Sequence, residues 1–163
     1  MSKNKEIHET IDKDLKNNTV TQDDINFMKK VNSLRDIELQ KESGLKLIPV
    51  FETYMLYMIH ELRKIPRSEK FSLGTEFKQS MYSAYRDIMM VEKVEDRNKL
   101  YYLNKIDAEL NVERGFVRLM FIENWISKEK FEIIMKEKIF EVGNVLRGIN
   151  QVLFKSIYEK GKN

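Results

Sequence analysis

The sequence contains no cysteine, two prolines, six glycines, one tryptophan and two histidines in 163 residues. Without cysteine there is no disulfide framework, no thiolate nucleophile and no Cys-based zinc site. The scarcity of proline and glycine leaves little material for turns. What remains is rich in Leu, Ile, Met, Lys and Glu and favours helix. No apolar run approaches the roughly 18 residues of a membrane span, and the opening stretch MSKNKEIHETIDKDLKNN has no apolar h-region. These features lead us to expect a soluble, cytoplasmic protein with no membrane partner. Charge of one sign is also scarce. The net charge is +3; residues 1–44 hold 8 Lys+Arg against 9 Asp+Glu, leaving 21 against 17 in the rest. Such a mild excess permits nucleic-acid binding without requiring it.

Residues 1–44 read as an N-terminal helical extension. Thr21, followed by Asp23 and Asp24, forms a helix start with acids in the first turn. A thin apolar stripe of Ile25, Met28, Val31 and Leu34 then runs to about Glu42, and Ser43 and Gly44 close the helix. Residues 45–160 read as an all-α, up-down-up-down four-helix bundle. Its first helix starts near Leu47, with apolar positions Leu47, Phe51, Tyr54, Met58, Leu62 and Ile65 stepping by three and four. Ser72 opens a second helix carrying Leu73, Phe77, Met81, Ala84, Ile88 and Val91. A third, with Asp96 as a possible cap, carries Leu103, Leu110, Val117 and Phe121 to around Asn124–Ile126. Ser127 caps a fourth whose stripe runs from Met135 to Ile157, about 45 Å of helix at the usual rise. Short connections make successive helices antiparallel.

Two features exceed what a lone bundle needs. Tyr54, Met55, Leu56, Tyr57, Met58 and Ile59 are apolar all the way round the first helix. This is the pattern of a helix buried on more than one side, by a subunit interface or by the N-terminal helix. The stretch LNVERGFVRLMF, Leu110 to Phe121, sets Arg114 and Arg118 four residues apart on one face, with no carboxylate at a helical neighbour position of either. A like-charge pair costs the isolated helix roughly 0.2–0.5 kcal/mol. Acids elsewhere, such as Asp107 or Glu109 of a neighbouring subunit, or the phosphates of a nucleic acid, can offset that cost.

Catalytic motifs are missing. His60-Glu61 begins like a zinc-protease helix, but position 64 is Lys; a di-iron Glu-x-x-His fails because position 57 is Tyr, and His8 has Lys5 three residues before it. No Gly-rich phosphate loop and no Ser-His-Asp set is present. Neither an enzyme nor a cofactor is expected, and the plain reading of His60 is a partly buried residue satisfied locally.

Three stretches, IPVFETYMLYMIHELRKIPRSEKFSLGTEF, ERGFVRLMF and EVGNVLRGINQVLFKS, resemble in order and spacing the accessory variability determinant proteins of diversity-generating retroelements. These are related to the four-helix-bundle proteins encoded in ribosomal RNA intervening sequences. The resemblance spans roughly residues 45–157. It implies a barrel-like homopentamer of four-helix protomers without catalytic activity. Such an assembly binds a reverse transcriptase and RNA or an RNA–DNA hybrid during mutagenic complementary-DNA synthesis. The family's basic pair falls on Arg114 and Arg118, its Pro-basic turn on Pro66 and Arg67, and its Glu-x-Gly run on Glu141 and Gly143. This chain departs from the pattern at Glu113, Asn144 and Arg147. Arg63, Lys64, Arg67 and Lys70 can extend a phosphate-binding patch, although a charged turn is commonly just solvated. Arg147 and Lys155 are weaker candidates. Tyr54, Tyr57, Tyr82, Tyr85, Tyr101 and Tyr102 can stack bases, but at helical spacing they are better read as core and interface. A second reading is a structural or adaptor oligomer that binds another protein and no nucleic acid.

Overall fold

The computed structural model describes residues 20–39 and 45–162. Helix α1 (Gln22–Leu39) precedes α2 (Leu47–Leu62), a single turn α3 (Arg67–Lys70), α4 (Leu73–Lys93) and α5 (Asp96–Ile122). The last arm is continuous: α6 (Lys128–Ile133), a π-helical turn at Ile134–Lys138, and α7 (Ile139–Lys160). No strand occurs among the described residues. The expected end of the first helix at Ser43–Gly44 lies outside them.

Local chemistry accounts for three of the boundaries. At α1 the Thr21 hydroxyl accepts from the Asp24 backbone N–H at 3.3 Å, and the Asp24 carboxylate accepts from the Thr21 N–H at 2.8 Å. This reciprocal cap has Asp in place of the usual Glu. Ser127 caps α6 by accepting from the Lys130 N–H at 3.2 Å. Asn124, at φ 59°, ends α5 in the left-handed region, and the Trp125 N–H reaches back to the Met120 carbonyl at 2.8 Å. Asparagine takes the place glycine usually fills in such a stop.

Side-chain contacts establish the up-down order. Tyr85 meets Glu52 and the Leu45 N–H meets Glu92, so α2 and α4 run antiparallel. Ser80 meets Glu109 and Lys105 meets Asp87, which sets α4 against α5. Asp96 at the start of α5 pairs with Lys160 at the end of α7. The core at the centre takes Phe51, Met58, Phe77, Met81, Ile88, Leu103, Leu110, Val117 and Val142, all buried. Helix α1 lies along α2.

Two expectations need correcting. The last helix is not uniform, because a π turn carries one extra residue and resets the stripe so that both Ile134 and Ile139 reach the core. Nor do Tyr54 and Tyr57 face a neighbouring subunit: both are buried within the protomer. Tyr54 is drawn inward by a hydrogen bond to Glu113, and Tyr57 lies under the Lys138 ammonium, 5.4 Å from its ring centre. Met55 and Ile59 are half-buried against the core, and of the assigned set only Leu56, at 41% exposure, points outward.

Candidate functional site

The arginine pair stands on the outer side of α5, where that helix meets α7. Arg114 is half-buried and donates to the Asn111 side-chain oxygen at 2.7 Å, while Arg118 is exposed. Among the described residues neither guanidinium forms an ion pair. Gly143 of α7 makes room for the first: a Cβ there would stand 3.1 Å from an Arg114 guanidinium nitrogen. Arg147, exposed, lies one turn beyond Gly143 on the same face of α7. The structure therefore gathers Arg114, Arg118 and Arg147 along one seam, which chain order does not reveal. Leu119, Ile122 and Phe140 are exposed large apolar residues of the same two helices.

The other predicted cations divide. Arg63, Arg67 and Lys70 are exposed on the turn between α2 and α4, at the end of the bundle where α5 also finishes. Lys64 is a correction to the proposed patch, because it turns inward. It makes a short contact to Asp24 and lies 3.4 Å from Glu61. The reason is a buried charged network that clamps α1 to the bundle. Asp24 accepts from His60 at 2.9 Å, and Glu61 pairs with the buried Lys130 at 3.0 Å. Phe27 of α1 stacks on the His60 ring at 4.3 Å. Burial alone would raise the Asp24 pKa. Hydrogen bonds from Lys64, Thr21 and His60 outweigh it and hold the carboxyl well below its ordinary value. Asp24, His60 and Glu61 bring three metal-ligand types within 4.8 Å. Two ammonium groups, Lys64 and Lys130, stand among them and neutralise both carboxylates, so the arrangement is an ion-pair network rather than a metal centre.

A second buried network lies behind the arginines. Glu113, fully buried, accepts from the Tyr54 hydroxyl at 2.6 Å and meets the Ser80 hydroxyl at 3.0 Å; that same hydroxyl meets Glu109 at 2.7 Å. These are three contacts, but Tyr54 and Ser80 supply only two protons. If Glu113 is protonated the chain closes: Tyr54 donates to Glu113, Glu113 to Ser80, and Ser80 to Glu109. Burial pushes the Glu113 carboxyl up to about 7, against hydrogen bonds from Tyr54 and Ser80 that favour its ionised form. The Glu109 end opens on a surface groove of about 550 Å³ bordered by Tyr82, Arg86 and Phe116.

Sequence reasoning passed over Glu113, Asp24 and Lys130 as functional residues. For Glu113 a signal exists, since it interrupts the stripe Leu103, Ile106, Leu110, Val117, Met120 at three-four spacing, where a carboxylate must find buried donors. For Asp24 there is none beyond its cap, because its partners are on other helices.

Fold and site together define a helical-bundle protein that pairs carboxylates inside and carries, on α5, guanidinium groups without an ion pair among the described residues. The chain belongs to the bAvd-like family, whose model matches residues 50–153. This confirms the resemblance to accessory variability determinant proteins, and membership suggests an accessory role in a diversity-generating retroelement. No curated protein and no solved structure matches the chain. No helix among the described residues is long and apolar enough to cross a membrane.

Proposed function

We propose that this protein is a non-enzymatic accessory factor that assembles as a homopentamer, partners a reverse transcriptase and holds RNA or an RNA–DNA hybrid during complementary-DNA synthesis. The observation that carries the reading is the Arg114–Arg118 pair, placed on the outside of α5 without a counter-ion among the described residues. Two like charges held together in this way favour an external polyanion, and phosphates match guanidinium geometry. Family membership supports the retroelement setting.

Titrating a labelled RNA, or the matching hybrid, against the protein across a salt series tests the reading. Arg114→Ala with Arg118→Ala weakens binding and lowers the slope of log affinity against log salt by about 1.4–1.8, the share of two phosphate contacts. Assembly, followed by light scattering, is retained. Unchanged affinity in the double variant discards the site. The exposed Leu119, Ile122 and Phe140 beside the arginines favour a second reading, an adaptor that grips a protein only. No gel shift at low salt, together with stable capture of the reverse transcriptase, selects it.

A further inference from the structure

Phe71 is 78% exposed, the most exposed large apolar side chain among the described residues. A single apolar residue on a surface is ordinary and carries nothing by itself. Here, however, the turn that carries it is fixed. The Lys70 and Glu69 N–H groups reach the Pro66 carbonyl at 3.2 and 2.9 Å, and the Ser72 N–H reaches the Glu69 carbonyl at 3.2 Å. The Thr75 hydroxyl donates to the Lys70 carbonyl at 3.2 Å. On the far side Gly74 packs so closely that a Cβ would stand 3.2 Å from the Glu69 carbonyl oxygen. The ring is therefore held out into solvent by a built turn.

The charges that flank it along the turn are mainly positive. Arg63, Arg67 and Lys70 are exposed and form no ion pair among the described residues. Because Phe71 continues the helical turn of α3, Arg67 lies on its side of that turn at i, i+4. Glu69 is the single acid between residues 63 and 71, and its carboxylate is engaged by the Ser72 hydroxyl at 2.7 Å. Lys64 is spent on Asp24. What remains is an exposed aromatic ring on a fixed turn that also carries three exposed cations without an ion pair among the described residues. It matches a partner that presents a flat π face and repeated negative charge at one site. An acidic peptide would use the cations and leave the ring idle, and a duplex buries its base faces in its own stack. A single strand satisfies both halves.

We propose that Phe71, flanked by Arg67, Lys70 and Arg63, is a stacking platform for an unpaired base of single-stranded RNA laid across this end of the bundle. The inference rests on the reading of the chain as an RNA-binding factor and names which form of RNA it takes. Since α5 finishes at the same end, a strand on Arg114 and Arg118 can continue onto the platform.

The test uses the full chain, a labelled mixed-sequence single-stranded RNA and its blunt duplex. Phe71→Ala lowers affinity for the single strand by roughly 5- to 150-fold, the range for loss of one stacked base. Duplex affinity, the salt slope and the melting temperature stay as they were. Phe71→Trp restores affinity, and its emission, measured over the Trp125 background, is quenched by the single strand alone. Unchanged single-strand affinity in Phe71→Ala overturns the platform while the accessory reading stands. Absence of binding by the unmodified protein at low salt removes both. Loss of reverse-transcriptase capture in Phe71→Ala with RNA affinity intact assigns the ring to a protein contact and also overturns the proposal.

Discussion

Glu113→Gln replaces a buried carboxyl with a neutral group of the same shape. The glutamine oxygen still accepts from Tyr54, and its NH₂ donates to Ser80, which donates in turn to Glu109. The variant thus fixes the network in the arrangement of the protonated wild type. Glu113 has an ordinary value of 4.5, raised to about 7 in the folded protein. Because the folded state binds its proton more tightly, this residue's contribution is fully present below pH 4.5 and is lost as pH rises through 7. The gap corresponds to about 3 kcal/mol between those limits. For a chain of this size each kcal/mol moves the melting temperature by about 2–4 °C. The assay is thermal unfolding of wild type and variant from pH 4.5 to 9. The two coincide near pH 4.5–5, and by pH 9 the variant melts roughly 6–12 °C higher, at about 2–4 °C per kcal/mol. Groups away from this network titrate alike in both proteins, so the difference curve reports Glu113 and the groups it touches. Parallel curves, or a variant less stable at pH 9, refute the proton count. A ¹³C carboxyl titration of Glu113 reads the same midpoint directly.

Asp24→Ala leaves Lys64, Lys130 and His60 facing one carboxylate instead of two, and breaking such a pair costs roughly 3–5 kcal/mol. The loss falls first on α1, whose amides in hydrogen exchange should lose protection while those of α5 keep theirs. In the unmodified protein the depressed Asp24 carboxyl works in the opposite direction to Glu113. Its contribution is present above pH 3.8 and is lost as pH falls through the lower folded value, so α1 amides remain protected at pH 4. Gly148 has open space where a Cβ would go, so Gly148→Ala should raise stability by roughly 0.5–1 kcal/mol through helix propensity, read by denaturant midpoint. Gly74→Ala meets a backbone carbonyl at 3.2 Å and the Ile65 side chain at 3.3 Å and should lower it by about 1 kcal/mol.

Much of the site was legible only in part. The lack of local counter-ions at Arg114 and Arg118 is a statement about neighbours three and four residues away; where α5 meets α7, Gly143 is what makes room for the Arg114 guanidinium. Lys64 read the same way as Arg63 and Arg67, yet Asp24, forty positions earlier, draws it inward. Phe71 carried no signal because an isolated apolar residue in a turn looks alike whether it is packed or projecting.

By itself the sequence determined the helix starts at Thr21 and Ser127 and most of the stripe each bundle helix buries, since caps and three-four periodicity act within a few residues. Tertiary structure alone decided which polar groups go inside and with whom. Tyr54 turns inward because Glu113, 59 positions later, awaits its proton, and Lys130 is buried because Glu61 is there to receive it. A buried charge or hydroxyl is tolerated only where a partner meets it, and that partner arrives from another helix.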